Sequence, residues 1–131
     1  MFEWFKKKSR QKAFKNIIEI LDSLIEVSDR AYKDISRLGD STPSDSQEIC
    51  RLQEDLVIQF MGPLPFDRLK AHLIDPILSC PETSEGTRRA IEHVCNEIAK
   101  RIEDKKLSWN KDDYAAYDAM NLKGGHEGFK D

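Results

Sequence analysis

The feature that most constrains the fold is a long run of apolar residues spaced by threes and fours. Between Gln11 and Leu38 this spacing continues for about four heptads, the pattern of a helix with one buried face. No segment alternates regularly between apolar and polar residues, and no Asn-Gly or Asp-Gly turn joins two apolar runs. The chain is therefore predicted to be all-α. The predicted buried face of the first helix comprises Phe14, Ile17, Ile18, Leu21, Leu24, Ile25, Ala31, Ile35 and Leu38.

Turn and capping residues then mark out a second helix. Gly39 is suited to the position just after the end of the first helix. Thr42 or Ser44 is predicted to cap the second helix, and a Gly-Pro pair that begins at Gly62 ends it. Its predicted buried face comprises Ile49, Leu52, Leu56, Val57 and Phe60.

A third and a fourth helix follow. Asp67 is predicted to cap the third helix, which bends or breaks at Pro76 because proline lacks a backbone N–H and disfavours helical structure in the preceding residue. Thr83 or Ser84 opens the fourth helix, which is predicted to reach about Lys106. The predicted buried face of the fourth helix comprises Ala90, Ile91, Val94, Cys95, Ile98 and Ile102.

The C-terminal region is rich in aromatic residues. Asn110 or Asp112 is predicted to cap a last short helix, with Trp109 just before it. Tyr114 and Tyr117 lie three residues apart and therefore share a helix face. Such side chains anchor an interface when exposed and fill a core when buried, and this spacing favours packing across the end of the bundle.

These signals predict a single domain, a small antiparallel bundle of four to five helices with the two long helices as its spine. We divide the chain into a basic and aromatic N-terminal segment at residues 1–9, a bundle at residues 10–124, and a frayed C-terminal tail at residues 125–131.

Charge is distributed unevenly along the chain. The net charge of the 131 residues is −3, but the first 15 residues carry +5 and the remainder −8. A protein that binds nucleic acid through clustered cations is not expected from this balance. The three cysteines, Cys50, Cys80 and Cys95, are odd in number and widely spaced, which favours reduced thiols and a cytoplasmic protein. We expect neither a signal peptide nor a membrane-spanning segment.

The sequence contains little that suggests catalysis or metal binding. A glycine-rich phosphate loop, an HExxH pair and a GxSxG motif are all missing. Di-metal sites in bundles use Glu-x-x-His pairs, but Leu69 precedes His72 and Ala90 precedes His93 at that spacing, and His126 lies in the tail. We therefore expect no enzyme, no cofactor and no metal, and a partly solvated His93.

The N-terminal segment combines aromatic and basic residues. Phe2, Trp4 and Phe5 are followed at once by Lys6, Lys7 and Lys8, a combination that suits the surface of an anionic membrane. Phe2 and Phe5 also lie out of phase with the predicted buried face. Contact with a membrane, contact with a partner protein, and covering of one end of the core are the three interpretations of this segment.

Four carboxylates lie beside the apolar face of the first helix, at Glu19, Asp22, Glu26 and Asp29. Their spacings of three and four place like charges next to each other, which costs an isolated helix a few tenths of a kcal/mol per pair. A basic surface on another protein would compensate for this cost, and the four are therefore predicted partner-binding residues. A solvated face is the simpler interpretation. The alternative compensation is internal, from Arg88, Arg89, Lys100 and Arg101 of the fourth helix.

The leading functional hypothesis is a non-catalytic protein-binding module. Its more specific form is an immunity-type inhibitor that neutralises a toxin, or another protein with a basic surface, through the acidic helical face. The alternative is a peripheral membrane-associated scaffold or regulatory subunit that is anchored by the N-terminal segment. A monomer and a homodimer both remain open, because the first helix can complete its own bundle or pair with a second copy.

Overall fold

The computed structural model of the chain describes residues 2–39 and 43–120, with the backbone alone for residues 2–8 and 36–38. The described part is helical and contains no strand, so the prediction of an all-α bundle is confirmed. Its helices are α1 at Phe2–Leu38, α2 at Pro43–Phe60, α3 at residues 66–79, α4 at Glu85–Glu103 and α5 at Lys111–Ala119.

Helices α1, α2 and α4 pack against one another and enclose the core. α1 is antiparallel to α2, since Arg30 bonds Asp45 near the start of α2 while Glu19 lies beside Gln59 near its end. α1 is also antiparallel to α4, since Asp29 contacts the start of α4 at Thr87. This arrangement buries the inner face of α1 against both of the other long helices.

Helices α2 and α4 consequently run parallel to each other. Ile49 and Gly86 line one cavity at the beginning of the two helices, and Met61 and Arg101 line another near their ends. Two parallel helices need a crossover between them, and residues 61–84, including α3, return the chain to the same end of the bundle.

The start of α1 differs from the prediction, whereas α2 begins at the first helical position that the predicted cap at Thr42 implies. α1 begins at Phe2 rather than near Gln11, and it continues without interruption through the predicted boundary between residues 9 and 10. α2 begins at Pro43, which places Ser44 inside the helix, while Thr42 lies outside the described residues. Proline suits a first helical position because its missing N–H needs no partner there. Residues 121–131, which contain the predicted tail, also lie outside the described part.

α3 accommodates Pro76 through a change of hydrogen bonding. Phe66–Leu69 and Asp75–Ser79 are α-helical, but the turn between them, Lys70–Ile74, is a π-helix in which the Asp75 N–H bonds the Lys70 carbonyl. Pro76 thus falls in the first turn of a new α-helical stretch, where its missing donor is tolerated. The predicted cap at Asp67 is wrong, because Pro65 occupies that position and Asp67 lies in the first turn.

The caps of α4 and α5 agree with the sequence. The Ser84 hydroxyl accepts a hydrogen bond from the Thr87 N–H, and Asn110 and Asp113 form a reciprocal capping box. Two predicted core residues are exposed instead: Ile35 is 48% exposed and Ile102 39% exposed. Both lie within the last four residues of their helices, at the ends of α1 and α4.

Candidate protein-binding surfaces

Three of the four predicted acidic residues are exposed on the outer side of α1. Glu19, Asp22 and Glu26 all belong to this group, which we call the acidic face. Glu19 and Glu26 form no ion pair with any residue that the structure describes. Arg30, the next cation along the helix from Glu26, instead bonds the Asp45 carboxylate at 2.9 Å.

Asp29 does not share this exposure. It is half-buried, and its Oδ1 accepts hydrogen bonds from the Ser84 Oγ and the Thr87 Oγ1, each at 2.6 Å. The carboxylate therefore lies at the N-terminus of α4, where a negative charge is favourable, and it links α1 to the cap of that helix. Asp29 has a structural role, which reduces the predicted set of four to the acidic face.

Three of the four basic residues of α4 named above bind partners away from the acidic face. Arg88 donates to the carbonyls of Leu78 and Cys80, which fixes the turn after α3. Arg89 pairs with Glu85 at 2.7 Å, and Lys100 pairs with Glu97 at 3.6 Å. The Nε of Arg101 is buried without a hydrogen-bond partner among the described residues. None of these contacts places a positive charge of α4 against the carboxylate of Glu19 or Glu26.

The predicted N-terminal contact residues lie in the first turns of α1. The structure gives their helical backbone, whereas the side chains of residues 2–8 lie outside the described part. The interpretation of this segment as a membrane or partner contact therefore stays a prediction. The predicted contact residues of the N-terminal segment are Phe2, Trp4, Phe5, Lys6, Lys7 and Lys8.

The C-terminal aromatic residues pack across one end of the bundle. Tyr117 is buried, its hydroxyl lies 2.9 Å from the Nδ1 of His72, and burial raises the pKa of its phenol well above the ordinary value. The indole N–H of Trp109 donates to the Gly62 carbonyl at 3.0 Å, and the Tyr114 hydroxyl donates to Asp67 at 2.9 Å. The structure therefore agrees with the favoured interpretation, in which these aromatic side chains pack across the end of the bundle.

Cysteine and histidine residues do not combine into a site within the described part. All three cysteines are free thiols. Burial raises the pKa of the Cys95 thiol to about 11, which keeps it protonated near neutral pH. His93 is exposed, and no group of three or more His, Cys, Asp or Glu side chains in residues 2–39 and 43–120 is placed to hold a metal ion.

Exposed apolar side chains gather along a groove that α2 and α4 line over its whole length and that α1 also lines at one end. Tyr32, Ile35, Ile58 and Met61 are four of the five large apolar side chains that are exposed among the described residues. They line two adjoining cavities of about 470 and 480 Å³, which share Gln53 and His93. The sequence indicates that two of these side chains are exposed, because Ile58 and Met61 both fall outside the predicted buried face of α2.

Ile58 is 63% exposed, the largest value among these side chains, and it borders cavities that carboxylates also line. It also borders a third cavity of about 290 Å³ between α1 and α2. The two cavities that meet at Ile58 are lined by four carboxylates and by one guanidinium, that of Arg101. We define the Ile58 surface as Glu19, Ile20, Glu54, Asp55, Ile58 and Met61.

Comparisons of the chain with protein-family models, with curated proteins and with solved structures give no match. None of the described helices combines the length and the apolar character that crossing a membrane requires.

Proposed function

We propose that this protein is a non-catalytic binding module whose acidic face binds another protein through a basic surface. The observation that carries the proposal is the exposure of Glu19 and Glu26 on one side of α1, with no ion pair to any described residue. Three cations of α4 bind elsewhere, namely Arg88, Arg89 and Lys100. The more specific form of the proposal is an immunity-type inhibitor that blocks a basic cleft in a toxin.

The acidic face suits electrostatic recognition. Glu19 and Glu26 lie about 10 Å apart along the helix axis, with Asp22 between them, so several cations of one partner are able to reach them together. Their mutual repulsion within the free protein is relieved when those cations arrive. Complementary charge of this kind raises the association rate and the specificity of binding, and it weakens as salt increases.

The test neutralises the acidic face. The variant combines Glu19→Gln, Asp22→Asn and Glu26→Gln, and the matched control neutralises three exposed carboxylates elsewhere, Glu82, Glu103 and Asp104. A protein captured from the native cells is identified and purified, and its affinity for the wild type and for both variants is measured at low and high salt. We expect at least about tenfold weaker binding and a smaller salt dependence for the acidic-face variant alone.

The control distinguishes binding through the acidic face from a general effect of the net charge of the protein. Equal weakening by the two triple variants shows that net charge alone governs the interaction, and it contradicts the assignment to α1. Unchanged affinity of the acidic-face variant for the identified protein also overturns the proposal. Circular dichroism and thermal unfolding establish that both variants keep the fold.

A further inference from the structure

The Ile58 surface has the composition of a docking site. Ile58 of α2 and Met61, which follows the end of α2, are exposed and line the same cavity. Half-buried Ile20 of α1 lies beside Ile58. Single exposed apolar residues are common, but an apolar group with carboxylates on both sides is suited to a particular class of occupant. Glu54 forms no ion pair with any described residue, so its charge is available to that occupant.

The occupant that fits must bring apolar side chains and positive charges together. The chain itself contains such a segment at residues 2–8, with the aromatic residues Phe2, Trp4 and Phe5 next to three lysines. We call this segment the basic head. The lysines of the head supply positive charge for the carboxylates of the Ile58 surface, and its aromatic rings supply apolar area for Ile58. Protein interfaces commonly combine apolar contact with complementary charge in this way.

The head of one chain does not reach the Ile58 surface of the same chain. α1 is one continuous helix, so Phe5 lies about 20 Å along the axis from Glu19, which borders the surface. A second copy has no such restriction. Because each chain carries both the head and the surface, two chains are able to exchange heads symmetrically and form two equal contacts.

We propose that the Ile58 surface binds the basic head of a second copy of this chain, in a reciprocal homodimer. Ile58 becomes buried against the aromatic side chains, and Glu19 and Glu54 pair with lysines of the head. Asp55 already pairs with Arg51 at 3.1 Å and adds only to the local negative potential. The contact combines apolar burial with charge attraction. Added salt is therefore expected to raise the dimer dissociation constant without abolishing the dimer.

The first test measures self-association of the full chain. Sedimentation equilibrium over about a hundredfold range of concentration gives the dimer dissociation constant at low and high salt. We expect Ile58→Ser to raise that constant at least about tenfold, and the matched control Ile35→Ser, at another exposed isoleucine, to leave it unchanged. Replacing Lys6, Lys7 and Lys8 with Gln is expected to act like Ile58→Ser.

The second test exchanges charges between the two partners of the contact. One variant reverses the head with Lys6→Glu, Lys7→Glu and Lys8→Glu, and another reverses the surface with Glu54→Lys and Asp55→Lys. Each variant alone is expected to remain monomeric, whereas the double variant that carries both sets recovers at least part of the association. This recovery distinguishes head-to-surface contact from an association through two like surfaces.

A wild-type chain that stays monomeric over the whole range overturns the inference. So does a dimer that Ile58→Ser leaves intact, or the absence of recovery in the charge-exchanged chain. Circular dichroism of each variant shows that the fold persists, which is expected because every replaced side chain of the surface is at least partly exposed. Glu19 belongs to both the acidic face and the Ile58 surface. Ile58→Ser keeps all three carboxylates of the acidic face, so a loss of the dimer in this variant is distinguishable from a loss of the proposed partner binding.

Discussion

Two adjacent residues of α1, Ser28 and Asp29, show how differently two polar groups contribute to the same helix contact. Both lie where α1 meets the first turn of α4. The Ser28 side chain is 2% exposed and its hydroxyl has no hydrogen-bond partner among the described residues. The Asp29 carboxylate accepts two hydroxyl hydrogen bonds. A buried polar group stabilises the fold only when it is paired.

Replacing Ser28 with alanine is expected to stabilise the protein. The change removes an unpaired buried hydroxyl and places a better helix former in the middle of α1, so the free energy of unfolding is expected to rise by about 1 kcal/mol. Urea denaturation monitored by circular dichroism measures the change. A loss of stability in this variant instead shows that the hydroxyl has a bonded partner.

Replacing Asp29 with alanine is expected to have the opposite effect. The change leaves the Ser84 and Thr87 hydroxyls without their shared acceptor and removes a negative charge from the N-terminus of α4, so stability falls by about 2 kcal/mol. The same denaturation assay applies, with Glu26→Ala as the control on the exposed side of α1. If the two variants are equally stable, Asp29 is not the link between α1 and α4.

At the scale of helices, the contact between α1 and α4 depends on a close approach of their backbones. A Cβ atom placed on Gly86 lies 3.1 Å from the Tyr32 Cβ and 3.3 Å from the Ser28 carbonyl oxygen. Both atoms belong to or adjoin the rigid backbone of α1, so the two helices must separate to admit a methyl group.

Gly86→Ala is therefore expected to destabilise the protein although alanine favours helices. Overpacking costs about 1–3 kcal/mol and the helix propensity returns about 1 kcal/mol, which leaves a net loss of about 1 kcal/mol. Asn96→Ala at an exposed position of the same helix is the control, since it gains propensity without a clash. Thermal unfolding measures both, and a Gly86→Ala protein as stable as the control contradicts the close approach.

Helix starts were predictable where one side chain decides them. Ser84 and Asn110 satisfy N–H groups three residues ahead, and each is one of the two caps predicted for its helix. The π-helical turn before Pro76 was not predictable, because it is a compromise between a missing donor and packing from other helices. Helical spacing likewise identified the face of Ile35 and Ile102, but it does not tell where neighbouring helices stop covering that face.

For the whole molecule, the sequence predicted the all-α class but not how its charges and apolar groups meet in space. The exposure of Glu19 and Glu26 follows from helical spacing, whereas the recruitment of Asp29 by Ser84 and Thr87 joins residues more than 50 positions apart. The Ile58 surface combines residues of α1 and α2, so it exists only after the two helices pack. Single-helix patterns contain no information about such a neighbour.

The parallel pairing of α2 and α4 has a consequence for the order in which the chain folds. α1 and α2 are close in sequence and antiparallel, so they are able to meet after a short loop closes, whereas α4 arrives only when the crossover of residues 61–84 is in place. During synthesis, a hairpin of α1 and α2 therefore precedes α4 and holds the apolar face of both helices open to solvent. We expect this interval to be the period in which a newly made chain is most exposed to aggregation and to capture by chaperones.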